Sequence, residues 1–166
     1  MGRFDHVNAV FYRTASLLKL DVREPEAFGP LQLRGRRDGF AVSITGRSGG
    51  VIPGSYRNRF LVILDPEGSR RLPAGFRAEP WTRWHGWRRW AAEPAIEPVV
   101  AITAKSGLET WLDGDRRAAL RDAVAIAGFS AADGLFGAER SGIPQTPADL
   151  IDPLESLISI ARRLVA

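Results

Sequence analysis

Between Leu31 and Leu64 the chain carries the pattern that most restricts its fold. Leu31, Leu33 and Gly35 alternate with polar neighbours, the pair Asp38-Gly39 follows, and Phe40, Val42 and Ile44 then alternate with Ala41, Ser43 and Thr45. Period-two alternation puts one set of side chains on one face of a strand, and an Asp-Gly pair between two such runs supplies the backbone freedom of a tight hairpin turn. A third run, Arg59 to Leu64, is nearly continuous in apolar residues and is stopped by Asp65-Pro66-Glu67-Gly68, so it reads as a central or well-covered strand. An antiparallel meander is the economical arrangement. One face of such a sheet must then be covered by something else.

Helices at the two ends supply the cover. Phe4, Val7, Phe11, Thr14 and Leu18 follow a three-four spacing, with Val10 and Leu17 widening the stripe, which predicts an amphipathic helix ending before Pro25. Near the other end, Thr146-Pro147-Ala148-Asp149 offers a hydroxyl cap, a first-turn proline and an acid three residues on. Leu150, Ile151, Leu154, Leu157, Ile158, Ala161, Leu164 and Val165 continue from it at the helical period.

Residues 66 to 80 hold Pro66, Gly68, Pro73, Gly75 and Pro80 and read as an irregular connection. Val99 to Thr103 reads as a short strand, and Ser106-Gly107-Leu108-Glu109 as a capping box opening a helical turn with Trp111 and Leu112. Asp113 and Asp115 precede a helix over Arg116 to Ala127, stopped by Gly128. As a pair they could hold a cation or serve catalysis, but capping the helix explains them without either. Gly134 to Gly137 reads as a short strand closing the sheet. The expectation is a single globular domain, residues 1–166, of the α+β class, with an antiparallel or mixed sheet of about four to six strands and three main helices mostly on one face. This layout, ending in Ile158-Ser159-Ile160-Ala161, resembles bacterial soluble domains of unknown function. The resemblance implies a compact α+β unit and carries no activity or site residue with it.

Composition narrows the chemistry. The absence of cysteine excludes disulfides, thiol catalysis and cysteine-ligated metals, and fits a reducing cytoplasm. Two histidines, His6 and His85, leave any zinc or iron site dependent on carboxylates, so neither metal nor cofactor is expected. No apolar run approaches the length of a membrane span. Residues 1–90 hold 16 basic and 8 acidic side chains and residues 91–166 hold 7 and 11, so the first part is basic and the second acidic. A basic half attracts nucleic acid, anionic lipid or an acidic protein.

The most specific local pattern is Trp81, Trp84, Trp87 and Trp90 at three-residue spacing, with Arg83, Arg88 and Arg89 between them. Pro80 can open a short helix there and Pro94 can end it. Exposed, these residues would stack on bases, meet a lipid interface or engage a protein; buried, they would close the core, and the apolar area of tryptophan makes burial of at least two rings the default. Gly46-Arg47-Ser48-Gly49-Gly50 matches the nucleophile-elbow pattern, and Asp65 and His85 follow in hydrolase order. Pro53 and Gly54 break the helix that an elbow requires, and the sheet reads as antiparallel and small. The sequence therefore favours a non-enzymatic binding or interaction module on an Arg/Trp-rich surface. A protein partner ranks before nucleic acid or an anionic membrane because no nucleic-acid motif accompanies the arginines. A small serine hydrolase built on Ser48, Asp65 and His85 is the alternative.

Overall fold

The computed structural model describes residues 3–24, 31–48, 56–80 and 100–166. In chain order the elements are α1 (Arg3–Leu18), β1 (Asp21–Arg23), β2 (Leu31–Arg37), β3 (Phe40–Ser48), β4 (Tyr56–Ile63), α2 (Pro66–Arg70), β5 (Arg77–Pro80), β6 (Val100–Thr103), α3 (Leu108–Trp111), α4 (Gly114–Ala123), β7 (Ser130–Ala132), β8 (Leu135–Ser141) and α5 (Ala148–Leu164). All pairings are antiparallel, in one sheet of order β1-β2-β3-β4-β8-β7-β5-β6.

The hairpin forms where the alternation places it. Arg37 pairs with Phe40, and the two turn residues Asp38 and Gly39 both take positive φ, 52° and 87°. Positive φ at both central positions is the turn whose twist matches that of the flanking strands. Its register carries whole rows of core residues across the sheet: Leu33, Ile44, Phe60 and Ala138 form one, and Gly35, Val42, Val62 and Phe136 the next. Leu33, Ile44, Phe60, Val62 and Phe136 are fully buried.

Helix α5 covers this face, packing on β3, β4 and β8, while α4 packs on α5 and α1 lies over β1 and β2 and touches α5. The buried stripe of α5 contains Leu150, Leu154, Leu157, Ile158, Ala161 and Leu164. Within α1, the buried Thr14 hydroxyl donates to the Val10 carbonyl at 2.8 Å, so its polar atom is satisfied inside the helix. Gly46 lies under α1: a Cβ there would run into the Tyr56 hydroxyl and come within 2.6 Å of the Phe11 ring edge. Burial pushes the Tyr56 phenol up to about 12, so it stays protonated at neutral pH.

Several expectations need correction. The described residues form eight strands and five helices, against four to six strands and three helices. The additions are short: β1 and β7 have three residues, β5 four, α2 five and α3 four. At that length a period cannot be distinguished from chance. The connection over residues 66 to 80 accordingly contains α2 and β5. Strand β8 does not close the sheet but lies inside it between β4 and β7. Leu17 is 60% exposed rather than part of the α1 stripe. Helix α3 starts at a Gly107 N-cap in the left-handed region with no side-chain cap, so the Ser106 capping box does not form. At α5 the expected capping is reversed. The Asp149 carboxylate accepts from the Thr146 and Gln145 backbone N–H groups at 3.0 and 2.9 Å, and the Thr146 hydroxyl donates to it. Asp113 does cap α4, accepting from Arg116 N at 2.9 Å.

Candidate interaction face

Strand alternation that buries one side of the sheet delivers a different set of side chains to the other. Arg23, Gln32, Thr45, Arg59 and Glu139 fall in one row across β1, β2, β3, β4 and β8. Asp21, Arg34, Ser43, Leu61, Gly137 and Ser130 form the next. Arg36, Ala41, Ile63, Leu135, Ala132, Arg77 and Thr103 form a third. Beyond the first row, Arg47 stands directly opposite Arg57, and at the far edge Glu79 faces Ala101. This face therefore presents Arg23, Arg34, Arg36, Arg47, Arg57, Arg59 and Arg77 against the carboxylates of Asp21, Glu79 and Glu139. All seven arginines are exposed.

The electrostatics of the two sides differ in kind. On the helix side Arg37 pairs with Glu155, Arg140 with Asp149, Arg162 with Asp38, and Arg163 with Asp115 and Asp122. Arg116 is held further: its guanidinium lies 5.2 Å from the Trp111 ring, pairs with Asp113 at 2.7 Å and donates to the Trp111 and Leu164 carbonyls. On the other side, Arg57 pairs with Glu139 at 2.8 Å, and Arg36 donates to the Gly39 carbonyl. Arg23, Arg34, Arg47, Arg59 and Arg77 make no ion pair among the described residues. Like charges directly opposed across strands, as at Arg47 and Arg57, work against folding, so the arrangement has no stabilising rationale of its own.

Polar and apolar groups are also segregated on this face. The Gln32 amide donates to the Ser43 and Thr45 hydroxyls at 3.0 and 3.3 Å, forming a small uncharged patch on β2 and β3. Ile63 and Leu135, 42% and 38% exposed, face each other in register with Ala41 and Ala132 on their outer sides. None of the described residues on this face is aromatic.

The candidate residues named from sequence are placed as follows. Trp81, Arg83, Trp84, His85, Trp87, Arg88, Arg89 and Trp90 lie outside the described residues, between Pro80 and Val100, which pair as partners of β5 and β6. The fifth tryptophan, Trp111, packs against Phe76 with ring centroids 5.0 Å apart. Ser48 ends β3 paired with Tyr56, so Gly46-Arg47-Ser48 runs along the strand ladder. The Asp65 carboxylate accepts from Gly68 N at 2.7 Å and caps α2. His85, the third residue of the serine-hydrolase set, lies outside the described residues.

A depression of about 260 Å³ lies beside Asp65, between Phe40, Leu64 and Val165, and its carboxylates are engaged: Asp38 with Arg162, Asp65 with the α2 cap and Glu67 with Arg71. Among the described residues no group of three or more His, Cys, Asp or Glu side chains could hold a metal ion, and no helix is long and apolar enough to cross a membrane. The arginine face, in contrast, has a signal in the chain itself, since Arg34 and Arg36, and again Arg57 and Arg59, recur at the strand period. What the chain does not show is which face of the sheet the helices leave open. Comparison with protein-family models, curated proteins and solved structures finds no match.

Proposed function

We propose that this protein is a non-enzymatic interaction module whose open sheet face receives an acidic protein partner. The observation that carries the reading is a contrast in ion pairing among the described residues: on the helix side Arg37, Arg116, Arg140, Arg162 and Arg163 have carboxylate partners while Arg13 and Arg117 do not, whereas of the seven arginines on the open face Arg57 alone has one. Arginine is among the residues that protein interfaces favour, and here it stands exposed beside exposed aliphatic side chains. Single-stranded nucleic acid ranks lower because binders of that class stack bases on aromatic side chains, and the described residues of this face offer none. Arg83, Arg88 and Arg89 add to the same basic half of the chain and enter the proposal only by their sequence.

The test is site-specific photo-crosslinking in the cells that make the protein, with the photoreactive residue at Leu61 on the open face and, as control, at the exposed Asp152 on α5. Protein adducts formed from Leu61, absent from Asp152 and lost in an Arg34→Ser/Arg57→Ser/Arg59→Ser variant that keeps its circular dichroism, are the expected result. Adducts consisting of nucleic acid, or protein adducts indifferent to the three substitutions, would overturn it.

A further inference from the structure

Resting on that reading, we infer that the partner presents an acidic amphipathic helix, and that it lies across the strands on the row Ala41, Ile63, Leu135, Ala132 with Arg36 and Arg77 at the two ends. Among the described residues, the row is the one place on the open face where two large apolar side chains stand exposed side by side. The two other large apolar side chains exposed among the described residues, Tyr12 and Leu17, are on α1.

The spacing selects the occupant. Neighbouring strands lie about 4.8 Å apart, so the four apolar positions follow one another at that interval. Along a helix, apolar residues at i, i+4, i+7 and i+11 recur about every 5.4 Å and match it closely. An extended peptide repeats on one face about every 6.7 Å and falls out of step by the third residue. Sheet twist accumulates to roughly 65° across these four strands. A helical apolar stripe about 100° wide can follow that rotation.

Charge selects the ends. Arg36 and Arg77 are five strand spacings apart, about 24 Å, which is the length of a helix of about 16 residues. Both are exposed, and Glu or Asp near either end of such a helix would meet them. Arg34 and Arg59 lie to the same side of the row, so a second line of acids along that flank of the helix is also complemented.

Three 16-residue peptides and one oligonucleotide test the assignment by amide NMR titration and fluorescence anisotropy. The first peptide is a stapled helix with Leu at the four stripe positions and Glu at the ends and one flank. The second has the same composition in an order without a stripe, the third replaces Glu with Lys, and the oligonucleotide is a thymidine 16-mer. The expected result is that the first peptide binds, shifts the amides of Ala41, Ile63, Leu135 and Ala132, and weakens about tenfold with either Ile63→Asp or Arg36→Ser/Arg77→Ser, as for loss of an interface anchor. Equal binding of the stripeless peptide would overturn the helix assignment while leaving an acidic partner in place. Binding of the oligonucleotide alone would overturn both, and binding of the lysine peptide alone would refute the charge argument at its root.

Discussion

Gly46→Ala tests the packing that holds α1 on the sheet. A Cβ at position 46 would collide with the Tyr56 hydroxyl and approach Phe11 Cζ at 2.6 Å and Cε2 at 3.0 Å. Phe11 is fully buried and Tyr56 9% exposed, so neither ring can swing into solvent without opening the core. Overpacking of this kind costs about 1–3 kcal/mol, and two aromatic obstacles on one methyl place the substitution at about 2–3 kcal/mol. The structure also makes a sharper statement, because the first obstacle is a single oxygen. Tyr56→Phe removes it, and since that hydroxyl is desolvated its loss alone should be close to neutral. In the double variant the methyl still meets Phe11, so recovery is partial, with a coupling of about 1 kcal/mol. Urea unfolding of wild type, both single variants and the double variant, followed by circular dichroism, measures all four stabilities at once. A Gly46→Ala protein within 0.5 kcal/mol of wild type, a bound of about the size of ordinary surface effects, would refute the packing argument. Strict additivity would refute the role of the hydroxyl.

Two further outcomes follow from the helix ends. Backbone hydrogen bonds from Thr146 and Gln145, with Arg140 nearby, hold the Asp149 carboxyl below its usual range. Its contribution is therefore present above the unfolded-state value near pH 3.9 and is lost as pH falls through the lower folded value. Asp149→Asn keeps the acceptor and removes the charge, and should cost about 0.3–1 kcal/mol at pH 7, as for a carboxylate at a helix N-terminus, with the two thermal unfolding curves converging once the pH falls below the lowered folded value. A deficit that is unchanged at acid pH would show that the charge is irrelevant. At the other end of α5, Arg116 joins the Leu164 carbonyl to Trp111 and Asp113 through its planar guanidinium. Arg116→Lys cannot serve these acceptors together, and a loss of about 1–2 kcal/mol in urea unfolding is expected, whereas a neutral result would reduce the cluster to decoration.

What could be read from the chain depended on the distance over which each signal acts. The β2–β3 hairpin and α5 were legible because their periods persist for many residues and their boundaries carry turn or cap chemistry of their own. Strands β1, β5 and β7 acquire their conformation from the strands beside them, and three or four residues such as Ser130-Ala131-Ala132 carry no period to read. The position of β8 beside β4 was illegible for a different reason, since it rests on contacts between distant parts of the chain. The arginines at 34, 36, 57 and 59 announce one strand face, yet their meaning depends on the helices lying on the opposite side. The tryptophan stretch, the most specific local pattern, lies outside the described residues.

The pairing of β4 with β8 also governs how the molecule assembles. Strands β1 to β4 meet their neighbours through short connections, and β7 and β8 do the same, but Ile63 meets Leu135 only after roughly 70 residues of chain have closed on themselves, an entropic cost of about 4 kcal/mol. Such a closure belongs late on the folding path. The two exposed aliphatic side chains come from opposite sides of that seam. A half-assembled chain would already display Arg34, Arg36, Arg57 and Arg59 but not the apolar row, and so would attract acidic molecules without retaining them. Tight binding on the row would then report that the long-range pair of β4 and β8 has closed.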